Sequence, residues 1–143
     1  AWAFQPGGFV IKLGTNDSKP QNRQHSAEVK QAVVQMITEL CPELGQLPKN
    51  KKKRAKALAE VKTQIFLCTP IPAFKSTWNI NDSVIVNGII PIQQEVAKEY
   101  GLQVIDLHTL FGNDVNKMVA DGIHPNEKGA RRMAEIIADA LRK

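Results

Sequence analysis

Three short and mostly apolar runs along the chain predict β-strands. They cover residues 9–13, 64–68 and 104–107 and are rich in β-branched and aromatic side chains. Such runs are typical of strands that are buried on both faces. Gly14 follows the first run, and Thr69-Pro70 follows the second, so turns are predicted where these strands end.

Helical periodicity separates the three runs. Apolar residues recur every three or four positions from Ala27 until Pro42, again between Asn81 and Tyr100, and after Asn126. Pro91 lies inside the second of these segments and predicts a kink or a break there. Residues 55–61 also favour a helix, whereas residues 15–26 and 69–78 are predicted to be polar or loop segments.

This alternation of strands and helices predicts an α/β fold, a three-layer α/β/α arrangement with a parallel sheet between helices. In such sheets the ligand site lies beyond the carboxyl ends of the strands. Residues 14–17, 69–78 and 106–108 would therefore share one edge of the sheet. The length of 143 residues predicts a single domain.

The net charge of +5 comes from one local run. Residues 49–56 contain six basic side chains and no acidic one, which is typical of a solvated loop and helix start. Nucleic-acid binding requires a basic face with interleaved aromatic residues or a recognition motif, and neither is visible. We therefore expect no nucleic-acid partner.

Other classes of protein are disfavoured by short apolar runs and by cysteine usage. The longest apolar stretches, such as residues 89–92, fall far short of the ~20 residues of a membrane helix, so no membrane partner is expected. The two cysteines, Cys41 and Cys68, have no metal-binding spacing with histidine. We expect neither a metal nor a cofactor.

Two short motifs carry candidate chemistry. Asp121 precedes His124 by three residues, so its carboxylate could accept a hydrogen bond from one imidazole nitrogen and leave the other as a base. On spacing alone, a loop cap and a surface histidine are the favoured explanation of this motif. Asn16 follows Gly14 at the end of the first strand and could donate to an oxyanion, although an ordinary polar turn also fits.

The order of the two motifs is more informative than either alone. A strand ending in Leu-Gly-Thr-Asn-Asp, then Asp-Gly-Ile-His-Pro-Asn and a closing amphipathic helix, resembles the SGNH (GDSL-type) hydrolase family over nearly the whole chain. Residues 15–22, 67–70 and 104–108 resemble a branch of carbohydrate-directed esterases, often acetyl esterases.

This resemblance implies acyl transfer through a serine ester and gives roles to particular residues. Asn16 matches the side-chain donor of the oxyanion hole, His124 the general base, and Asp121 the residue that orients the base. Asp17 and Trp78 are expected to contact the substrate, a small-molecule or carbohydrate ester, although aromatic packing over the sheet edge is the default explanation of Trp78. The resemblance also favours a secreted or periplasmic location over the cytoplasm.

The chain departs from the family pattern in one respect. The family's Gly-Asp-Ser nucleophile block and its glycine block lie upstream of the Gly-x-Asn-Asp block, and neither has a counterpart among the residues before Gly14. None of the four serines has that setting; they are Ser18, Ser26, Ser76 and Ser83.

We therefore expect an N-terminally incomplete hydrolase domain that is inactive alone. Such a chain is expected to self-associate or to pair with the missing N-terminal segment. The alternative is a non-catalytic carbohydrate-binding or interaction module derived from such a hydrolase.

Overall fold

Three parallel strands form the centre of the computed structural model, which describes residues 6–23 and 25–143. The strands are β1 (Gly8–Lys12), β2 (Gln64–Cys68) and β3 (Gln103–Ile105), and they lie in the order β1-β2-β3. In this register Val10 lies beside Phe66, and Phe66 lies beside Gln103. Their carboxyl ends therefore meet at one edge of the sheet.

Helical segments connect the strands. In chain order the α-helices are α1 (Pro20–Arg23), α2 (Ser26–Leu40), α3 (Pro42–Gly45), α4 (Lys51–Glu60), α5 (Asp82–Val84), α6 (Ile90–Tyr100), α7 (Leu107–Phe111) and α8 (Glu127–Leu141). A π-helix, Ile85–Ile89, joins α5 to α6. A short 3₁₀ turn, Asn16–Ser18, follows β1, and another, Val115–Lys117, follows α7.

Helices cover both faces of the central strand. On one face Ile65 and Leu67 pack with residues of α2 and α6, including Ile37 and Val96. On the other face the core contains Phe66 and Cys68 together with residues of α7 and α8. This alternation confirms the predicted three-layer α/β/α architecture.

The predicted boundaries of three segments need correction. The third strand ends at Ile105, because the Asp106 side chain accepts a hydrogen bond from the Thr109 N–H and caps α7. The predicted basic loop is largely helical, since the Asn50 side chain caps α4 at its first residues. The helix predicted from Asn81 to Tyr100 does not break at Pro91: its backbone stays helical from Asp82 to Tyr100, and a π-helical segment, Ile85–Ile89, lies just before the proline.

The described residues contain neither a candidate membrane helix nor a cluster of metal-binding side chains. Within them no helix has the length and apolar character that crossing a bilayer requires. The same residues hold no cluster of three or more histidine, cysteine, aspartate or glutamate side chains that could bind a metal ion. Cys41 and Cys68 are buried free thiols, and burial raises the pKa of Cys68 to about 11.

β1 lies at an edge of the described sheet. It pairs with β2 on one side, and no strand within residues 6–23 and 25–143 lies on its other side. Its apolar side chains are partly uncovered, since Val10 is 43% exposed and Leu13, directly after the strand, is 52% exposed. An exposed apolar edge is a surface on which another strand can pair.

We predict that the 143-residue chain self-associates through β1. Val10→Lys should lower the association, because a charge on an edge strand opposes pairing. Val86→Lys is the matched control, since Val86 is 40% exposed and belongs to the π-helix and not to a strand. Light scattering over a concentration series measures the effect, and a parent chain that stays monomeric at every concentration would contradict it.

Candidate active site

An open cleft of about 390 Å³ lies beyond the carboxyl end of β1. Three parts of the chain form its walls: the end of β1 and the turn that follows it, the segment after β2, and the turn before α8. The lining residues are Lys12, Leu13, Gly14, Thr15, Asn16, Asp17, Lys19, Ile71, Trp78, Ile80, Ile123, His124 and Pro125. The cleft lies where ligand sites of parallel sheets are found.

The turn before α8 holds a histidine by its neighbouring carboxylate. The Nδ1 atom of His124 lies 2.8 Å from Oδ2 of Asp121. The other oxygen of Asp121 accepts hydrogen bonds from the backbone N–H groups of Ile123 at 2.7 Å and His124 at 2.9 Å. One carboxylate therefore fixes both the backbone of the turn and the orientation of the imidazole.

Hydrogen bonding keeps the Asp121 carboxylate ionised. The backbone N–H of His124, its ring and the backbone N–H of Ile123 lower the pKa of Asp121 from 3.8 to about 2. An ionised carboxylate can only accept hydrogen bonds, so Nδ1 of His124 must carry the proton. In the neutral imidazole Nε2 of His124 then keeps its lone pair and can take a proton from a ligand.

A second segment braces this turn from outside. The backbone N–H of Phe74 donates to the Gly122 carbonyl at 2.9 Å, and Lys75 Nζ donates to the Ala120 carbonyl at 2.7 Å. Thr77 Oγ1 donates to the Asp121 carbonyl at 2.6 Å. Gly122 has φ 70°, and a Cβ there would lie 2.8 Å from Lys75 Cγ, so this close approach requires glycine.

The turn that carries Asn16 rests on the last residue of the π-helix and on α6. Gly14 has φ 111°, and a Cβ on it would lie 2.7 Å from Ile89 Cγ2. Gln93 is buried, and its Nε2 donates to the Leu13 carbonyl at 3.0 Å. These contacts hold the end of β1 in place, and the exposed Asn16 side chain projects from the turn that follows.

The structure brings the sequence-predicted site residues to one place. Asn16, Asp17, Trp78 and His124 all line the cleft, and Asp121 lies behind His124. The two remaining histidines lie outside the cleft lining. His25 contacts Glu28, and Nε2 of His108 lies 3.1 Å from Asp82 Oδ1.

The supporting residues Thr77 and Gln93 were not predicted. The sequence does contain a signal for Gln93, which is a polar residue at an apolar position of its helix, between Ile89 and Val96. The sequence contains no such signal for Thr77, since its partner Asp121 lies 44 residues further along the chain.

The low pKa of Asp121 predicts a pH dependence of stability. A lowered pKa in the folded state contributes stability above the unfolded value, and this contribution is lost as the pH falls through the folded value. The loss of stability caused by Asp121→Asn should therefore be greatest above about pH 4 and should shrink toward pH 2. Urea unfolding at a series of pH values measures it.

Asp139→Asn is the control for this prediction. Asp139 is an exposed aspartate on α8 that contacts Arg142. Its substitution should leave the shape of the stability profile unchanged. A constant difference between the parent and Asp121→Asn across this pH range would contradict the interpretation.

Comparison with known proteins places the chain in a family. The model of the GDSL-like Lipase/Acylhydrolase family matches residues 1–132. An acetylxylan esterase from Xylanibacter ruminicola is 63% identical over 143 residues, which are 99% of this chain but 30% of that protein.

Two solved structures share the fold. A lipase/acylhydrolase from Enterococcus faecalis superposes with a TM-score of 0.70 at 22% identity, over 95% of this chain and 61% of that one. An α/β hydrolase enzyme from the metagenome of Lake Arreo, Spain, gives 0.61 at 18% identity, over 95% and 60%. The chain therefore spans less than two thirds of each of these relatives. Because the family model matches residues 1–132, the chain belongs to the GDSL-like lipase/acylhydrolase family.

Proposed function

We propose that the chain supplies most of the active site of an ester hydrolase that removes acetyl or another short acyl group from a carbohydrate. The observation that carries the proposal is His124, held by Asp121 in the same cleft as Asn16. Membership of the family supports the ester-hydrolase class. The acetylxylan esterase that is 63% identical supports the carbohydrate ester.

The general base in this proposal is His124. Its Nδ1–H donates to the Asp121 carboxylate, which leaves Nε2 to take the proton of a nucleophilic hydroxyl. The hydroxyl oxygen attacks the ester carbonyl as it loses that proton. When the tetrahedral intermediate collapses, Nε2 returns the proton to the departing sugar oxygen. Water then repeats the sequence on the acyl-enzyme and releases the carboxylic acid.

The oxyanion of the tetrahedral intermediate is assigned to Asn16. Its side-chain amide is a neutral donor on a turn fixed by the contacts of Gly14 with the helix below. Asp17 and Trp78 line the same cleft and are assigned to the sugar part of the substrate. Positioning these groups before substrate binds avoids reorganisation during the reaction.

The nucleophilic serine in this proposal comes from outside these 143 residues. No serine among the described residues lines the cleft. Ser18, the nearest in sequence to Asn16, is buried, and its hydroxyl donates to the Thr15 carbonyl at 2.7 Å. Without a serine beside Nε2, the base has no hydroxyl to activate.

We predict that the chain alone hydrolyses nitrophenyl acetate no faster than its His124→Ala variant. A base and an oxyanion donor without a nucleophile lack the covalent step of the mechanism. Spectrophotometric rates of the two proteins test this. Turnover by the parent chain that His124→Ala abolishes would show that a nucleophile is present in the chain or in a second copy.

A segment exchange tests the proposed activity directly. We expect the Xylanibacter ruminicola acetylxylan esterase to keep its activity when this chain replaces its 63% identical segment. In that hybrid His124→Ala should lower kcat by at least about 10³-fold. Asn16→Ala should lower it by about 10²–10³-fold. Acetate release from acetylated xylan is the measurement.

His25→Ala is the matched control in the hybrid. His25 is an exposed histidine that contacts Glu28 and does not line the cleft, so its substitution should leave kcat unchanged. A folded hybrid that binds xylan without releasing acetate would contradict the hydrolase proposal and favour a carbohydrate-binding module.

A further inference from the structure

The backbone at the tip of the segment after β2 adopts a conformation that most side chains avoid. Trp78 has φ 52° and Asn79 has φ 59°, and they are the only non-glycine residues of the described chain with positive φ. The Ile80 N–H donates to the Thr77 carbonyl at 3.0 Å and closes the turn. Glycine and asparagine favour such a left-handed turn, so Asn79 suits it and Trp78 does not.

Both ends of this turn are anchored, whereas its tip is not buried. Thr77 is tied to the Asp121 carbonyl, and Ile80 is buried with Ile85 and Ile123. Trp78 stands between them and is 56% exposed. Packing in the core therefore does not account for a tryptophan at a position where the backbone disfavours it.

The Trp78 ring lies beside the proposed base. Its centroid is 5.6 Å from that of His124, and the ring planes meet at 68°, an edge-to-face contact. Such a contact occupies at most one face of the indole. Trp78 is 56% exposed and lines the cleft that Asn16 and His124 also line, so its ring is accessible from that cleft.

The surroundings of the Trp78 ring suit a sugar ring. A pyranose presents a flat face of C–H groups with hydroxyls around its rim, so it can stack on an aromatic face while polar groups bind its edge. Lys12, Asp17 and Lys19 line the same open cleft and can bind hydroxyls. A long acyl chain, unlike an acetyl group, would require an enclosed apolar pocket instead.

We propose that Trp78 is a stacking platform for a pyranose ring of an acylated polysaccharide, and that the strained turn holds the platform beside His124. This inference rests on the proposed function, since it names the part of the substrate that the cleft recognises. The platform binds the sugar whether or not the ester is cleaved. Its test therefore needs no nucleophile.

Binding of unacetylated xylohexaose to the 143-residue chain, measured by calorimetry, tests the platform. Trp78→Gly should weaken binding by at least about tenfold, the scale of a lost stacking contact. The same variant should be no less stable to urea, because glycine accepts the left-handed backbone. Trp78→Phe keeps a ring and should bind within about threefold of the parent.

Val115→Ala is the control, since Val115 is 53% exposed and does not line the cleft. It should leave binding unchanged. The inference is overturned if the parent shows no saturable binding, if Trp78→Gly binds xylohexaose as the parent does, or if Trp78→Gly unfolds more easily. It is also overturned if the same substitution weakens binding of a sugar-free butyl ester equally.

The outcomes separate this inference from the hydrolase proposal. An inactive hybrid together with sugar binding that depends on Trp78 would leave the platform standing and overturn the hydrolase. An active hybrid in which Trp78→Gly raises neither the KM for acetylated xylan nor the dissociation constant of xylohexaose would support the hydrolase proposal and overturn the platform.

Discussion

Burial of β2 on both faces is the constraint on which the rest of the structure depends. Its four residues from Ile65 to Cys68 are each at most 5% exposed, so helices must cover the sheet on two sides. Successive parallel strands need long helical connections that cross over a face of the sheet. The same geometry brings the ends of β1 and β2 to one edge, and the cleft forms there.

At that edge of the sheet, a few charged and polar contacts fix the position of the His124 side chain. The Asp121 carboxylate accepts hydrogen bonds from two backbone N–H groups and from the His124 ring. Because these bonds favour the ionised form, the group that shapes the turn also settles which imidazole nitrogen carries the proton. Local folding of the turn and the chemistry of the base therefore have one physical cause.

Much of this could be predicted from the sequence because it is encoded locally. The apolar runs located the strands, and the order and spacing of the motifs at Asn16 and at Asp121 and His124 predicted the contact of Asp121 with His124. The supports of the site were harder to foresee. Thr77 meets the Asp121 carbonyl across 44 residues, and the identity of Trp78 gives no signal of its left-handed backbone. Such features arise when distant segments meet, so single-sequence patterns carry little trace of them.

The π-helix at Ile85–Ile89 has a consequence for how the chain can change. A π turn acts as one residue inserted into an α-helix, so it rotates everything after it by about 100°. That rotation brings Gln93 under the Leu13 carbonyl. Deleting one residue from this segment would restore a regular helix and swing Gln93 away from β1. The contact of Gln93 with the Leu13 carbonyl, which supports the Asn16 turn, therefore depends on the number of residues before α6 as well as on their identity.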